Sequence, residues 1–198
     1  MFVVDCFSRG RPRRYRLLRP ENFILLSSGF VNPISIVQER YLNIIYDVFR
    51  VVRRRYDLVS FAVYGSVARG NARDYSDIDI LIISNDFRGS IASRIDELVG
   101  VEYEVGDEIR WLISNGVYAS LSFYPLRTDE ASRLPMLFLD LIDDVKIVYD
   151  NGFLEGLLDN LKIRISRLGA KRVKMDDGSW FWDLKPDFKL YEVVDLWS

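Results

Sequence analysis

The segment of residues 60–83 constrains the fold more than any other part of the sequence. It contains two apolar runs, at residues 60–64 and 78–83, that are rich in aromatic and β-branched residues. Short runs of this kind, bounded by glycine or aspartate, are typical of buried strands. The polar stretch between them contains Gly65 and Gly70, so we expect a loop with a short helical turn. The sequence therefore predicts a strand–loop–strand unit in the core of the protein.

Helical patterns flank this unit on both sides. From Ser35 onward, apolar residues recur at helical spacing as far as Val52, and Arg53 to Arg55 follow where cations favour a helix end. Further along the chain, the pattern predicts helices at residues 91–99, 107–114, 130–141 and 153–168 and strands at residues 117–124 and 145–149. This succession of strands and helices predicts an α/β (α+β) fold.

The two ends of the chain differ in character from its centre. The first residues predict a short strand from Phe2 to Val4, followed by a basic stretch at residues 9–16. Near the other end, two strand-like segments flank residues 176–178, Asp-Asp-Gly, which predicts a β-hairpin. Three of the four tryptophans lie there, where core packing or an oligomer interface explains them better than base stacking. We divide the chain into a basic extension (residues 1–33), a central domain with C-terminal helices (residues 34–168) and a Trp-rich extension (residues 169–198).

Missing residue types exclude several kinds of catalysis. The chain has no histidine and one cysteine among its 198 residues, which excludes Cys/His zinc sites, Ser-His-Asp triads and histidine general bases. Carboxylates, lysine, tyrosine and serine remain, together with hard metal ions bound through oxygen. No apolar run approaches the roughly 20 residues of a membrane helix, so we expect a cytoplasmic protein without a membrane partner. The net charge of -2 gives no general attraction to nucleic acid.

A phosphate-binding turn is predicted where the first strand of the central unit ends. Gly65 and Ser66 follow this strand directly, and a residue without a side chain lets a phosphate approach backbone N–H groups closely. The hydroxyl of Ser66 adds a further hydrogen-bonding group. Arg69 and Arg73 lie in the loop that follows, where each either neutralises phosphate charge or forms solvated surface.

A pair of carboxylates is predicted at the start of the second strand. Asp77 and Asp79 are two residues apart, and since side chains alternate along a strand, both leave the same face, about 7 Å apart along the backbone. Two neighbouring carboxylates raise one another's pKa, and a bound divalent cation relieves this repulsion. Carboxylates, phosphate oxygens and water are the usual ligands of magnesium. The pair is therefore a candidate metal site.

These residues together resemble the motif of the nucleotidyltransferase superfamily, which includes polymerase beta-like, kanamycin nucleotidyltransferase-like and minimal MNT-type domains. The family pattern is Gly-Ser, a glycine a few residues on, and then Ser-Asp-x-Asp. The chain matches it with Gly65-Ser66, Gly70 and Ser76-Asp77-Ile78-Asp79. The motif covers about twenty residues, and the order of helices and strands extends the resemblance over roughly residues 34–168.

The resemblance implies the nucleotidyltransferase fold, a mixed β-sheet flanked by helices, and transfer of a nucleoside monophosphate from a nucleoside triphosphate to a hydroxyl-bearing acceptor. It implies two Mg²⁺ ions, or Mn²⁺, held by the catalytic pair Asp77 and Asp79, one activating the acceptor and one stabilising the pyrophosphate that leaves. Nucleotide and phosphate binding would fall to Gly65, Ser66, Arg69, Gly70, Arg73 and Ser76. The acceptor would be a small molecule, a protein or an RNA end.

The chain departs from the family pattern at one position. Active members carry a third carboxylate on a later neighbouring strand, but the candidate strand at residues 117–124 contains no acid. Either another acid, such as Glu104, Asp107 or Asp129, completes the site, or catalysis is weak or absent.

This departure keeps two other classes of function open. The first is a catalytically weak or inactive module that binds a nucleoside triphosphate and regulates a partner, as an antitoxin-like subunit would. The second is an RNA-binding protein that uses the basic stretch at residues 9–16. We expect either a homodimer or a complex with a separate partner subunit.

Overall fold

Strands and helices alternate along most of the chain. The structure is a computed structural model that describes residues 4–6, 15–175 and 180–187. In chain order, its elements are β1 (Val4–Cys6), β2 (Tyr15–Leu17), α1 (Pro20–Ser27), a 3-10 helix (Glu39–Tyr41), α2 (Leu42–Arg55), β3 (Leu58–Tyr64), α3 (Gly65–Arg69), β4 (Ile78–Ser84), α4 (Ile91–Glu104), α5 (Gly106–Ser114), β5 (Leu121–Leu126), α6 (Thr128–Ala131), α7 (Leu137–Asp144), β6 (Lys146–Asp150), α8 (Phe153–Leu168), β7 (Lys171–Lys174) and β8 (Trp180–Asp183).

A four-stranded mixed sheet lies at the centre of the fold. Its strand order is β5-β4-β3-β6. Strand β3 runs antiparallel to both β4 and β6, whereas β4 and β5 are parallel. The parallel pair is joined by α4 and α5, as expected for a crossover connection. This mixed sheet flanked by helices confirms the fold class predicted from the sequence.

The two faces of the sheet carry separate hydrophobic cores because side chains alternate along each strand. On one face, Phe61, Ile80 and Ile82 pack with buried residues of α2, α4 and α5. On the other face, Leu81 and Ile83 pack with buried residues of α7 and α8. Since both faces are covered, β3 and β4 are apolar along nearly their whole length. Among the described residues, no helix is long and apolar enough to cross a membrane.

The segment before α2 is attached to the domain by a buried ionic network. Glu108 is fully buried and Asp47 is 5% exposed. Arg16 donates to both carboxylate oxygens of Glu108, at 2.5 and 2.8 Å, and Arg19 pairs with Asp47 at 3.1 Å and with Glu108 at 3.0 Å. Asn22 donates to Asp47 at 2.9 Å. Arg16 is therefore used inside the protein and not on a free nucleic-acid-binding arm; the arginines at positions 9–14 lie outside the described residues.

Three predicted elements have different bounds in the structure. The single helix expected at residues 130–141 is wrong, because α6 and α7 are separated at Leu134, which has φ +48°, and Pro135, which cannot continue a helix from the preceding turn. The strand expected from residue 117 begins at Leu121, since the N–H of Tyr118 bonds instead to the carbonyl of Asp74 at 2.6 Å. The first strand lies at Val4–Cys6, and Phe2 is outside the described residues.

A β-hairpin follows the last helix. Strands β7 and β8 pair antiparallel, with Val173 opposite Phe181, which confirms the predicted terminal hairpin. Its turn at residues 176–178 lies outside the described residues. Trp182 packs against the core formed by α7 and α8. The proposed boundaries at residues 33/34 and 168/169 stay predictions.

Candidate functional site

A polar cleft lies beside the ends of β3 and β4. Its volume is about 500 Å³, and its lining comes from α3, the loop after it and the start of β4: Ser66, Arg69, Asn71, Arg73, Tyr75, Ser76, Asp77 and Asp79. A larger cavity of about 670 Å³ beside α1 is lined largely by apolar side chains and holds a single acid, Glu21. Chemistry, and not size, therefore distinguishes the cleft as the candidate site.

The turn at the end of β3 requires glycine. Helix α3 begins directly after Tyr64, and Gly65 has φ +71°, a conformation that L side chains rarely adopt. A Cβ atom at Gly65 would overlap with Oδ2 of Asp79 and lie 3.0 Å from its carboxyl carbon. Gly70 ends α3 with φ +77°, and a Cβ there would lie 2.6 Å from Val37. The first glycine therefore makes room for a carboxylate of the cleft, and the second makes room for a neighbouring loop.

The two aspartates both line the cleft. Asp79 lies on β4 opposite Tyr64 of β3 and Ser122 of β5, and its side chain is partly buried. Asp77 is exposed and precedes β4 by one residue. Its Oδ1 accepts a hydrogen bond from the Ser120 hydroxyl. The structure thus brings the two carboxylates together with Ser66 and Arg69 around one space.

The surroundings of Asp79 disfavour its negative charge. Burial raises the pKa of Asp79 above its usual range, and the charge of Asp77 raises it further. A hydrogen bond from Ser122 and the guanidinium of Arg69 act in the opposite direction. Burial, with smaller contributions from Asp79 and Tyr124, also raises the pKa of Tyr64. A cation in the cleft would therefore stabilise the ionised form of Asp79.

Among the described residues, no third carboxylate lines the cleft beside the pair. Within the described part of the chain, no cluster of three or more Cys, Asp or Glu residues is arranged to hold a metal ion. Glu104 pairs with Arg54 at 2.8 Å and with Arg55 at 2.5 Å. Asp107 pairs with Arg110, and Asp129 pairs with Arg127 at 2.9 Å. The suggestion that one of these three acids completes the site is therefore wrong.

Serines on β5 and immediately before it lie near the pair instead. Ser120 contacts Asp77, and Ser122 lies opposite Asp79 in the parallel ladder. Their hydroxyls can orient the two aspartates by hydrogen bonding. A neutral hydroxyl is a weak substitute for a carboxylate, both as a metal ligand and as a proton acceptor.

Two arginines contribute positive charge to the cleft. Arg69 lies 3.9 Å from Oδ2 of Asp144, and Arg172 of β7 lies 3.7 Å from the same oxygen. Arg73 is exposed, and its Nη1 donates to the hydroxyl of Tyr75 at 3.1 Å. Arg69 and Arg73 can therefore face a phosphate, although each already has a partner within the protein.

The segment before α2 holds the loop of the cleft, a feature that the sequence analysis missed. The side-chain amide of Gln38 donates to the carbonyl of Ala72 at 2.7 Å and accepts from its N–H at 3.0 Å. Arg40 pairs with Asp74 at 2.8 Å. No local sequence signal marks Gln38, because its partner is 34 residues away.

Comparison with known proteins finds a family match and a relative. Residues 45–133 match the sequence profile of the family described as "Nucleotidyltransferase domain", and every residue that lines the cleft lies in this range. The chain is 27% identical over 136 residues to "Putative protein adenylyltransferase MJ1305" of Methanocaldococcus jannaschii, an alignment that covers 67% of this chain and 88% of the relative. These matches confirm the resemblance inferred from the motif.

Proposed function

We propose that this chain, whose residues 45–133 match the nucleotidyltransferase domain family, transfers a nucleoside monophosphate from a nucleoside triphosphate to a hydroxyl-bearing acceptor. One observation carries the proposal. Asp77, Asp79, Ser66 and Arg69 line a single cleft, and Asp79 fills the space that a side chain at position 65 would need. Of these residues, Ser66, Asp77 and Asp79 match the family motif in sequence, and they lie together in space.

Asp77 and Asp79 suit a hard divalent cation. Both supply oxygen ligands, and the positive charge would offset the burial and repulsion that raise the pKa of Asp79. When bound, such an ion would neutralise phosphate charge and acidify the acceptor hydroxyl. The described residues provide two carboxylates for it, so phosphate oxygens and water would complete the shell. We propose Mg²⁺, or Mn²⁺, in this role.

The remaining residues of the cleft suit the phosphates. The hydroxyls of Ser66 and Ser76 can donate to phosphate oxygens, while Arg69 and Arg73 supply charge-assisted hydrogen bonds. Gly65 and Gly70 act indirectly, because they permit the backbone path that brings these side chains together.

Transfer requires the acceptor oxygen to form a bond to the α-phosphorus while pyrophosphate leaves and the acceptor loses its proton. Asp77 and Asp79 would align the reacting groups, and Ser120 and Ser122 would hold the orientations of the two carboxylates. A serine does not take up the acceptor proton as a carboxylate does. We therefore expect slow turnover in comparison with a site that has three carboxylates.

For the acceptor, we propose a protein, by analogy with the relative. That relative is described as a "Putative protein adenylyltransferase", which favours ATP as the donor and a hydroxyl of a protein as the acceptor.

Label transfer tests the proposal. The protein is incubated with each α-labelled nucleoside triphosphate, magnesium and a cell extract, and the acceptors are separated by electrophoresis. We expect label on an acceptor with the wild type and none with the double variant Asp77→Asn, Asp79→Asn. Asp159→Asn removes an exposed acid of α8 and should transfer as the wild type does. Equal transfer by the double variant would refute the proposed site.

A second candidate function is binding of a nucleoside triphosphate without transfer, in a module that regulates a separate partner. The absence of a third acid near Asp77 and Asp79 in the described residues favours it. Magnesium-dependent binding of ATP, with no labelled acceptor at any protein concentration, would select this function over catalysis.

A further inference from the structure

Tyr75 differs in kind from its neighbours in the cleft. Among the described residues that line this space, it is the one aromatic, and the others are Ser, Asn, Arg and Asp. Its exposed fraction is 68%. Tyr75 belongs to neither of the hydrophobic cores formed by the described residues. Packing of the domain therefore gives no reason for a large ring at this position.

Polar contacts fix the position of Tyr75 in the absence of core packing. Its hydroxyl accepts a hydrogen bond from Arg73 at 3.1 Å. The carbonyl of Asp74 accepts from the N–H of Tyr118 at 2.6 Å, and the N–H of Arg73 donates to the Ser76 hydroxyl at 2.9 Å. Asp74, next to Tyr75, is thus attached to the domain, and the loop around Tyr75 is closed by a local hydrogen bond, while its ring stays largely accessible.

We propose that Tyr75 is a stacking platform for the nucleobase of the triphosphate. This inference rests on the proposed function, since it places the triphosphate at Asp77, Asp79 and Arg69. The flat face of a nucleobase gains little from this strongly charged region, and the ring of Tyr75 offers an accessible apolar surface in the same cleft. Every base has a π-face that can stack on an aromatic ring, so Tyr75 alone gives affinity without base preference.

A comparison of two ligands isolates this contact. ATP and inorganic tripolyphosphate share a triphosphate group, but the second has no base to stack. Dissociation constants for both, with magnesium, are measured by calorimetry for the wild type, Tyr75→Ala and Tyr75→Phe. Tyr103→Ala is the matched control, because Tyr103 is 83% exposed on α4 and does not line the cleft.

We expect Tyr75→Ala to weaken ATP binding about tenfold or more and to leave tripolyphosphate binding unchanged. Tyr75→Phe should stay within about threefold of the wild type for ATP, because the ring is kept and one exposed hydrogen bond is lost. Tyr103→Ala should bind both ligands as the wild type does.

Other outcomes overturn the inference in distinguishable ways. Equal losses for both ligands in Tyr75→Ala would show that Tyr75 only positions Arg73 and its loop. Unchanged ATP binding combined with slower transfer would assign the ring to the acceptor instead. Wild-type protein that binds tripolyphosphate as tightly as ATP would exclude a base subsite but not the proposed function. Failure of the wild type to bind either ligand would exclude both.

Discussion

Gly65 both forms the turn after β3 and lies against the carboxylate of Asp79. Its backbone conformation and its contact with Asp79 are separate requirements, because other glycines of the chain have positive φ in open space. Gly116, for example, has φ +80°, and a Cβ atom added there would meet nothing within 4 Å beyond its chain neighbours. The two requirements can therefore be separated by substitution.

Gly65→Ala should impair the site far more than it impairs the fold. The new methyl group would push the carboxylate of Asp79 out of place, and we expect ATP affinity to fall about tenfold or more, while strained backbone costs about 1 kcal/mol of stability. Gly116→Ala carries a similar backbone strain without the collision and should keep the affinity of the wild type. Calorimetric ATP binding and thermal unfolding of both variants provide the measurements. Equal affinities in the two variants would contradict the role given to Asp79.

The raised pKa of Asp79 predicts how stability changes with pH. A carboxyl whose pKa is higher in the folded state stabilises the fold below its unfolded pKa of about 4, and this contribution is lost as pH rises through the folded value. Asp79→Asn keeps the side-chain size and removes the charge, so we expect it to unfold at a higher temperature than the wild type near pH 7. The difference should disappear toward pH 3. Melting curves from pH 3 to pH 8 without metal would show this, and a variant less stable than the wild type at pH 7 would contradict it.

At the scale of elements, the segment before α2 holds the loop that lines the cleft. Val37 lies over Gly70, Gln38 bonds to both backbone groups of Ala72, and Arg40 pairs with Asp74. Residues on either side of Ala72 line the cleft. The affinity of the cleft for phosphates should therefore depend on side chains that never touch the ligand.

The variant Gln38→Glu tests whether the affinity for ATP depends on the hydrogen bonds to Ala72, because pH controls the charge of the new side chain. The neutral acid can donate to and accept from Ala72 as the amide does, but the ionised acid loses the donor and faces the Ala72 carbonyl. We expect ATP affinity to fall about tenfold at pH 8, from two lost or weakened hydrogen bonds, and to recover toward the wild-type value only as pH falls to the ordinary glutamate pKa of about 4.3. Wild-type protein measured at each pH corrects for protonation of ATP. An affinity ratio that is independent of pH would argue against the two hydrogen bonds to Ala72.

Elements with local signals were predictable, and those set by distant contacts were not. The apolar runs of β3 and β4 and the glycine after α8 gave correct elements, because burial and capping depend on the residues themselves. Pro135 is a local signal for the break between α6 and α7. The prediction of a single helix gave more weight to the helical spacing of apolar residues than to this proline. The spacing of Asp77 and Asp79 predicted that their side chains share one region, and both line the cleft, while their role stays a prediction. The contact of Gln38 with Ala72 depends on tertiary packing and had no such signal. Tyr75 carried no signal either, since only the fold shows that its ring is accessible in the cleft.

At the scale of the whole molecule, one fully buried acid attaches the first described part of the chain to the domain. Glu108 of α5 receives Arg16 and Arg19, and Arg16 also lies over the ring of Trp111 at 3.7 Å. Burial makes this network costly to break, because the charges left behind lose both water and partner.

Glu108→Ala should lower the free energy of unfolding by about 3 kcal/mol, because it removes a fully buried carboxylate from two partly buried guanidinium groups. Asp107→Ala is the matched control. It removes the adjacent acid, which is 79% exposed in its pair with Arg110, and should change stability by less than about 0.5 kcal/mol. Urea unfolding at neutral pH measures both. Similar small effects for the two variants would show that the network contributes little to holding the segment.

One carboxylate oxygen of Asp144 faces two cations that belong to different parts of the chain, Arg69 of the cleft and Arg172 of the terminal hairpin. A bound triphosphate that attracts Arg69 would leave more of that oxygen's charge to Arg172. Binding of a triphosphate in the cleft would then strengthen the ion pair between Asp144 and Arg172 of β7. We therefore expect the β7 amides to exchange hydrogen more slowly when the cleft is occupied.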